Sequence, residues 1–102
     1  MSSTDKQGAV IVGGGTYGIG RAITLTLAER GWPVVAFGLE ARQVSSEAEN
    51  AIPGLRREAE ERGLDVTLLE ADVSSEADVA RVVETALSRH GRTEARVNNA
   101  AN

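Results

Sequence analysis

A short glycine-rich run near the amino end most constrains what this chain can fold into. The β-branched segment Val10–Val12 leads directly into residues 13–20, which hold five glycines, and a helix-like pattern follows at once. A backbone without Cβ atoms can turn sharply and approach a ligand closely. The first turn of a helix offers unpaired N–H groups and the positive end of its dipole to an anion. The run therefore predicts a strand, a tight turn and a helix N-terminus facing a phosphate, as in a dinucleotide-binding βαβ unit.

Apolar runs alternate with helical patterns along the rest of the chain. The apolar runs predict strands at Ala9–Gly13, Val34–Gly38 and Val66–Ala71, and a weaker strand at Ala95–Asn99. Helical spacing predicts helices at Gly18–Arg30, at Gly54–Arg62 with Pro53 in the first turn, and from the capping-box-like Ser75–Asp78 to His90. Strands alternating with helices imply a parallel sheet covered on both faces. We therefore predict an α/β fold, a Rossmann-type doubly wound sheet over residues 8–102, incomplete at about four strands and three helices, after a flexible tail over residues 1–7.

Two of the predicted helices have side chains repeated at three- and four-residue steps, which places them on one helix face. The first helix has Ile19, Ala22, Ile23, Leu27 and Arg30 at these steps. The last helix has an apolar stripe of Val79, Val82, Val83, Ala86 and Leu87.

The composition excludes several classes of partner and chemistry. The chain has 102 residues, a net charge of −4 and no cluster of basic residues, which argues against nucleic acid as a partner. It has no cysteine, which excludes disulfides and thiolate chemistry. No apolar run approaches the ~18 residues of a membrane span. We expect a cytoplasmic protein with neither a nucleic-acid nor a membrane partner and with no metal site.

The spacing of the glycines points to one family. Gly14, Gly18 and Gly20 read G-x-x-x-G-x-G, whereas the commoner dinucleotide fingerprint reads G-x-G-x-x-G. This spacing, followed by Arg21, resembles the short-chain dehydrogenase/reductase family, whose turn usually reads T-G-x-x-x-G-I-G; Gly13 stands at the family's threonine position. The resemblance implies that the cofactor pyrophosphate and the adjoining ribose are surrounded by Gly14, Thr16, Tyr17, Gly18, Ile19 and Gly20. Taken alone, the segment is also compatible with a plain strand-to-helix turn.

Two later motifs resemble the same family, in the same order. Asp72-Val73 follows the third strand, where the family has an Asp that accepts a hydrogen bond from the adenine amino group; the alternative is that Asp72 only turns the chain or caps the next helix. The motif N-N-A-G is matched from Asn98 onward, with Ala in place of the Gly. The resemblance places Asn99, Ala100 and Ala101 beside the ribose near the nicotinamide. Together with right-handed crossovers, it also implies the strand order 3-2-1-4.

The preference between NAD and NADP stays open at this point. The acidic residue that binds the ribose diol of NAD is expected ~20 residues beyond the glycines, near Gly38, which has no side chain. An enzyme using NADP often has Arg at the positions held here by Leu39 and Tyr17. Glu40 and Arg42 could contact a ribose diol or a 2′-phosphate, or could be solvated charges of an insertion over residues 40–53. We therefore predict NAD or NADP, with Leu39 among the cofactor contacts.

The residues that carry hydride transfer in the family are absent from this sequence. Members of the family use a Ser and a Tyr-x-x-x-Lys, and here the one tyrosine is Tyr17 and the one lysine is Lys6. We expect the amino-terminal part of an oxidoreductase, with catalytic residues beyond this chain. A non-catalytic nucleotide- or partner-binding remnant and, with less support, a methyltransferase-like domain that binds S-adenosylmethionine are the alternatives. We also expect self-association through the unprotected edge of the fourth strand.

Overall fold

The computed structural model describes residues 8–14, 16, 18–38 and 51–98, and this part of the chain forms four strands and three helices. The strands are β1 (Ala9–Gly13), β2 (Val34–Gly38), β3 (Val66–Glu70) and β4 (Thr93–Asn98). The helices are α1 (Gly18–Glu29), α2 (Ala51–Arg62) and α3 (Glu76–His90). All neighbouring strands are parallel, in the order β3-β2-β1-β4. The predicted fold class, strand order and numbers of strands and helices are confirmed.

The core lies on both faces of β1 and β2, and every residue of these two strands is buried. Ile11, Val35 and Phe37 pack on one face, against residues of α3. Val10, Val12, Val34 and Ala36 pack on the other face, against residues of α1 and α2. Successive strand residues point to opposite faces, so a strand covered on both faces reads as a continuous apolar run. That physical requirement explains why both strands have the bounds predicted from the sequence.

Helix α1 packs on the sheet through small residues. Its buried residues are Gly20, Thr24 and Ala28, which follow one another at four-residue steps. Of the residues at regular spacing in the sequence, Ile19 is 73% exposed, and Ala22 and Arg30 are exposed as well. Small side chains let the helix approach the sheet closely, and this close approach outweighs the larger apolar area of Ile19.

Helix α2 begins at Ala51, three residues before the predicted Gly54. Pro53 is the third residue of the helix, where its missing N–H would have no intrahelical partner. The predicted pair Leu55 and Ala59 is buried, at 0% and 3% exposure. Residues 51–53 therefore belong to the helix and not to the predicted insertion, whose remaining residues 40–50 lie outside the described part of the chain.

Helix α3 has the predicted ends and only half of the predicted capping box. The Ser75 hydroxyl accepts a hydrogen bond from the Asp78 N–H at 3.2 Å. The Asp78 carboxylate does not return to the Ser75 N–H; it accepts from the Asp72 N–H at 2.9 Å, because Asp is shorter than the usual Glu or Gln. Gly91 ends the helix in the left-handed region at φ 84°. Val82 and Ala86 of the predicted stripe are buried, whereas Leu87 is 45% exposed.

Strand β4 lies at an edge of the sheet and is longer toward its amino end than predicted. It pairs with β1, with an irregular register between Ala9 and Val10 that leaves Glu94 without a partner in the ladder. Its residues 93–96 are exposed, and Val97 is partly buried against the α1 and α2 side of the core. Among the helices of the described residues, none combines the length and the apolar character that crossing a bilayer requires.

Candidate functional site

The carboxyl ends of the strands bring the predicted motifs to one edge of the sheet. Residues 14–20 follow β1, and Asp72 follows β3 by two positions. Because all strands are parallel, these segments emerge on the same side. In open α/β sheets, ligands bind in the crevice outside the carboxyl ends of the strands. The described part of the glycine turn and Asp72 therefore share the edge at which a ligand is expected.

The glycine turn is tied to β2 and leads directly into α1. Gly14 has φ 69°, a left-handed conformation that glycine adopts without strain, and its N–H donates to the Phe37 carbonyl at 2.8 Å. Helix α1 begins at Gly18 and has no acidic residue in its first turn. No carboxylate of the helix itself therefore offsets the partial positive charge at this N-terminus. Arg21, at the end of that turn, is ion-paired with Glu58 of α2.

Thr16 is buried within this turn, directly against the end of β2. It is 0% exposed, and its Oγ1 atom has no hydrogen-bond partner among the described residues. A Cβ placed on Gly38 would lie 2.6 Å from Thr16 Oγ1, 3.4 Å from Cγ2 and 3.5 Å from Cβ. The turn thus closes onto a strand residue that has no side chain. In the sequence, Gly38 stands out only as a missing acidic residue; a glycine that ends an otherwise apolar strand is the signal that indicates a close approach here.

Asp72 forms a local turn and keeps its carboxylate charged. Its Oδ1 accepts from the Ser74 N–H at 2.9 Å and from the Ser74 hydroxyl at 2.7 Å. These two hydrogen bonds, the backbone one first, lower the pKa of the Asp72 carboxyl from its ordinary value of 3.8. The turn that was predicted as the alternative role of Asp72 is therefore formed. It uses Oδ1, and the second oxygen, Oδ2, accepts no hydrogen bond from the described residues.

The predicted site residues fall into two groups. The structure brings together Gly14 and Thr16 of the turn with Gly18, Ile19 and Gly20 at the start of α1, and it places Asp72 and Val73 after β3 on the same edge of the sheet. Val73 is partly buried against the α3 side of the core. Outside the described residues lie Tyr17, Leu39, Glu40, Arg42, Asn99, Ala100 and Ala101. Within the described residues, no group of acidic or histidine side chains has the geometry to hold a metal ion.

Comparison with known proteins gives a consistent family. The family of short chain dehydrogenases matches residues 8–102. The chain is 38% identical over 96 residues to the uncharacterized oxidoreductase YxnA of Bacillus subtilis, covering 94% of this chain and 25% of YxnA. It is 36% identical over 93 residues to the short-chain dehydrogenase/reductase homolog YusS of the same organism, covering 91% of this chain and 78% of YusS.

A solved structure shares the architecture. The blue fluorescent protein from a metagenomic library, in complex with NADPH, superimposes with a TM-score of 0.77 at 30% sequence identity. The match covers 93% of this chain and 36% of that protein. The chain thus spans about a quarter of YxnA and about a third of this structure, and most of YusS.

Proposed function

The chain belongs to the short-chain dehydrogenase family, and we propose that it binds NAD(P)(H) as the amino-terminal part of an oxidoreductase. The parent activity is reversible hydride transfer between the cofactor and a carbonyl or alcohol. One observation carries the proposal: the left-handed turn at Gly14, hydrogen-bonded to β2, runs into the N-terminus of a helix whose first turn has no acidic residue. Such an N-terminus is a binding site for phosphate. The NADPH complex of the related blue fluorescent protein supports the choice of ligand.

The described residues fit a dinucleotide. The N–H groups at the start of α1 would bind the diphosphate, and the glycines there leave room for a close approach of the backbone. Ile19, with 73% of its surface exposed, would lose water contact when the cofactor covers it. The charged Asp72 would accept from the adenine amino group through Oδ2, beside Val73. Tyr17, Leu39, Asn99, Ala100 and Ala101 complete the proposed contacts on the strength of the family resemblance.

This chain's own residues would bind and orient the cofactor. When bound, the nicotinamide ring supplies the hydride-transfer chemistry. A proton must also move to or from the substrate oxygen, which the family does with a Tyr-x-x-x-Lys that this sequence lacks. Within this chain, therefore, we propose cofactor binding alone, with proton transfer left to residues outside it.

Binding without hydride transfer is the second candidate. It is favoured by the similarity to YusS: the match covers 78% of YusS, so this related protein is little longer than the present chain.

We also propose a cytoplasmic location, since a chain without cysteine has no disulfide for an oxidising compartment to stabilise. The exposed edge of β4 supports the proposal that copies of the chain associate there.

Calorimetric titration of the 102-residue chain with NADH, NADPH and S-adenosylmethionine tests the proposal. We expect one or both nicotinamide nucleotides to bind and S-adenosylmethionine not to bind. Preferential binding of S-adenosylmethionine, or no binding of any nucleotide by a folded chain, would overturn it. Activity of a longer protein that supplies the Ser and Tyr-x-x-x-Lys would distinguish the first candidate from the second.

A matched pair of glycine variants locates the site. Gly14 and Gly63 have nearly the same left-handed φ, 69° and 66°, but Gly63 follows α2, away from the proposed site. Alanine at either position costs about 1–2 kcal/mol of folding free energy. We expect Gly14→Ala to weaken nucleotide binding at least about ten-fold, the equivalent of 1.4 kcal/mol, and Gly63→Ala to bind as the wild type does. Equal binding by both variants would remove the glycine turn from the site.

A further inference from the structure

The contact between Thr16 and Gly38 bears on which dinucleotide the chain accepts. Gly38 ends β2 at the position where an acidic side chain would bind the ribose diol of NAD. Thr16 fills the space that the first atom of any such side chain would need, with Oγ1 only 2.6 Å from a Cβ at residue 38. Cβ atoms essentially never come that close to another atom. We propose that Thr16 determines cofactor preference by excluding a carboxylate from residue 38, so that the site accepts the 2′-phosphate of NADP(H). This inference rests on the proposed function.

Neither side of the contact can move away easily. Gly38 is opposite Glu70 in the ladder between β2 and β3, and its carbonyl accepts from the Ala71 N–H at 2.9 Å. On the other side, Thr16 is completely buried, and the turn that carries it is fixed by the hydrogen bond from the Gly14 N–H to Phe37. In close-packed surroundings, a steric clash of this kind displaces the neighbouring atoms, because there is no free space to relieve it. A carboxylate at residue 38 therefore requires a smaller residue at position 16.

The chemical consequence concerns the 2′ position of the adenosine ribose. A carboxylate there binds two hydroxyls but repels a phosphate, because like charges placed against each other are costly. With Thr16 in place, β2 ends in backbone alone and presents no such carboxylate. We therefore expect the wild-type chain to bind NADPH at least as tightly as NADH.

The contact itself can be tested without any cofactor, by a double-mutant cycle on stability. Thr16→Ala removes Oγ1 and Cγ2 and leaves the Thr16 Cβ at 3.5 Å from a new Cβ, an ordinary contact distance. We expect Gly38→Ala to lower the urea midpoint several-fold more in the wild-type background than in the Thr16→Ala background. If Gly38→Ala does not fold, recovery of a folded protein in Thr16→Ala/Gly38→Ala is the expected result.

Thr24 provides the control for that cycle. It is a second threonine with 0% exposure, and it lies in α1 and not in the turn. Combining Thr24→Ala with Gly38→Ala should give no rescue. Equal effects of Gly38→Ala in the wild-type, Thr16→Ala and Thr24→Ala backgrounds would overturn the proposed contact.

Cofactor preference is then measured by titrating NADH and NADPH into wild type, Gly38→Asp and Thr16→Ala/Gly38→Asp. We expect Gly38→Asp to bind both nucleotides poorly, and the double variant to regain NADH binding while favouring NADH over NADPH by about ten-fold or more relative to wild type. The proposal is wrong if Gly38→Asp alone changes preference as fully as the double variant, or if the wild type prefers NADH. Binding of neither nucleotide by the wild type would instead contradict the proposed function, and the stability cycle would still test the contact.

Discussion

The two strands β1 and β4 are neighbours in the sheet and differ in almost every physical property. All five residues of β1 are buried, whereas residues 93–96 of β4 are exposed. β1 is apolar throughout, whereas β4 carries Glu94 and Arg96, and Glu94 accepts from the Gly8 N–H at 3.0 Å. A strand buried on both faces must be apolar, while charge on an edge strand weakens its pairing with other chains. The difference teaches that β1 and β2 hold the fold together, whereas β4 is an edge strand of the described sheet that contributes less to the core.

The same contrast extends to the candidate site. The glycine turn follows β1 and is hydrogen-bonded to β2, so the two most buried strands position it. Asp72 instead follows β3, an edge strand, and its position depends on local hydrogen bonds to Ser74 and Asp78. We infer that loss of core packing disturbs the turn first, whereas loss of a local hydrogen bond disturbs Asp72 alone.

Truncating the largest buried side chain of the central strands should have the largest effect. Phe37 in β2 is 1% exposed, and we expect Phe37→Ala to reduce the free energy of unfolding by about 3–5 kcal/mol. Leu87→Ala is the control, because that side chain is 45% exposed, and it should cost less than about 1 kcal/mol. Urea unfolding followed by circular dichroism measures both. Similar losses for the two variants would mean that the central strands do not dominate stability.

A more direct comparison uses two valines that face each other across β1 and β4. Val12 is 0% exposed and is the register partner of Val97, which is only partly buried. We expect Val12→Ala to cost about 2 kcal/mol, from two lost methyl groups and the remaining cavity, and Val97→Ala to cost less than about 1 kcal/mol. The residue type, the substitution and the face of the sheet are the same. Equal costs in urea unfolding would show that β4 is as tightly packed as β1.

The charge on β4 should matter for association more than for stability. Arg96 is exposed in β4, so Arg96→Val should change the free energy of unfolding by no more than about 0.5 kcal/mol. We expect the same variant to increase the weight-average mass seen by sedimentation at high concentration, because it makes the edge apolar. Arg89→Val removes the same charge from the exposed side of α3 and should sediment as the wild type does. If Arg96→Val sediments like Arg89→Val, the charge does not protect the edge.

The contrast between buried and edge strands also explains which features the sequence could predict. The sequence predicts the bounds of β1 and β2 to the residue, because a strand covered on both faces leaves an uninterrupted apolar run that ends at a glycine. It predicts the fourth strand at 95–99, which starts two residues late, because charges at Glu94 and Arg96 interrupt the pattern. The order of the strands came from the family resemblance and crossover handedness, not from hydrophobic pattern.

Two features are not readable from a local sequence pattern: close packing between elements, and apolar residues that stay exposed at the carboxyl edge of the sheet. Helix α1 packs through Gly20 and Ala28, which are small, while the apolar Ile19 lies exposed at the carboxyl edge of the sheet. The contact of Thr16 with Gly38 joins two segments that are distant in sequence; the glycine that ends β2 indicates a close approach but not the residue that makes it. Sequence motifs therefore predict the turn that is the candidate site, and packing determines what that turn touches.

The smallest effect concerns the edge strand β3 and its charged neighbour Asp72. Because folding lowers the pKa of Asp72 below 3.8, the charged carboxylate stabilises the fold above that pH, and this contribution is lost as the pH falls through the folded pKa. Ser74→Ala removes the hydroxyl donor and keeps the stronger contribution of the Ser74 N–H, so the pKa should rise only part of the way to its ordinary value. The carboxyl carbon shift of Asp72, followed by NMR against pH, measures this change, with Ser88→Ala at an exposed position of α3 as the control.

An identical Asp72 pKa in Ser74→Ala and Ser88→Ala would mean that the Ser74 hydroxyl does not stabilise the Asp72 carboxylate. A rise in Ser74→Ala with Val12→Ala leaving that pKa unchanged would establish that the two parts of the site are held independently, one by the buried strands and the other by its local turn.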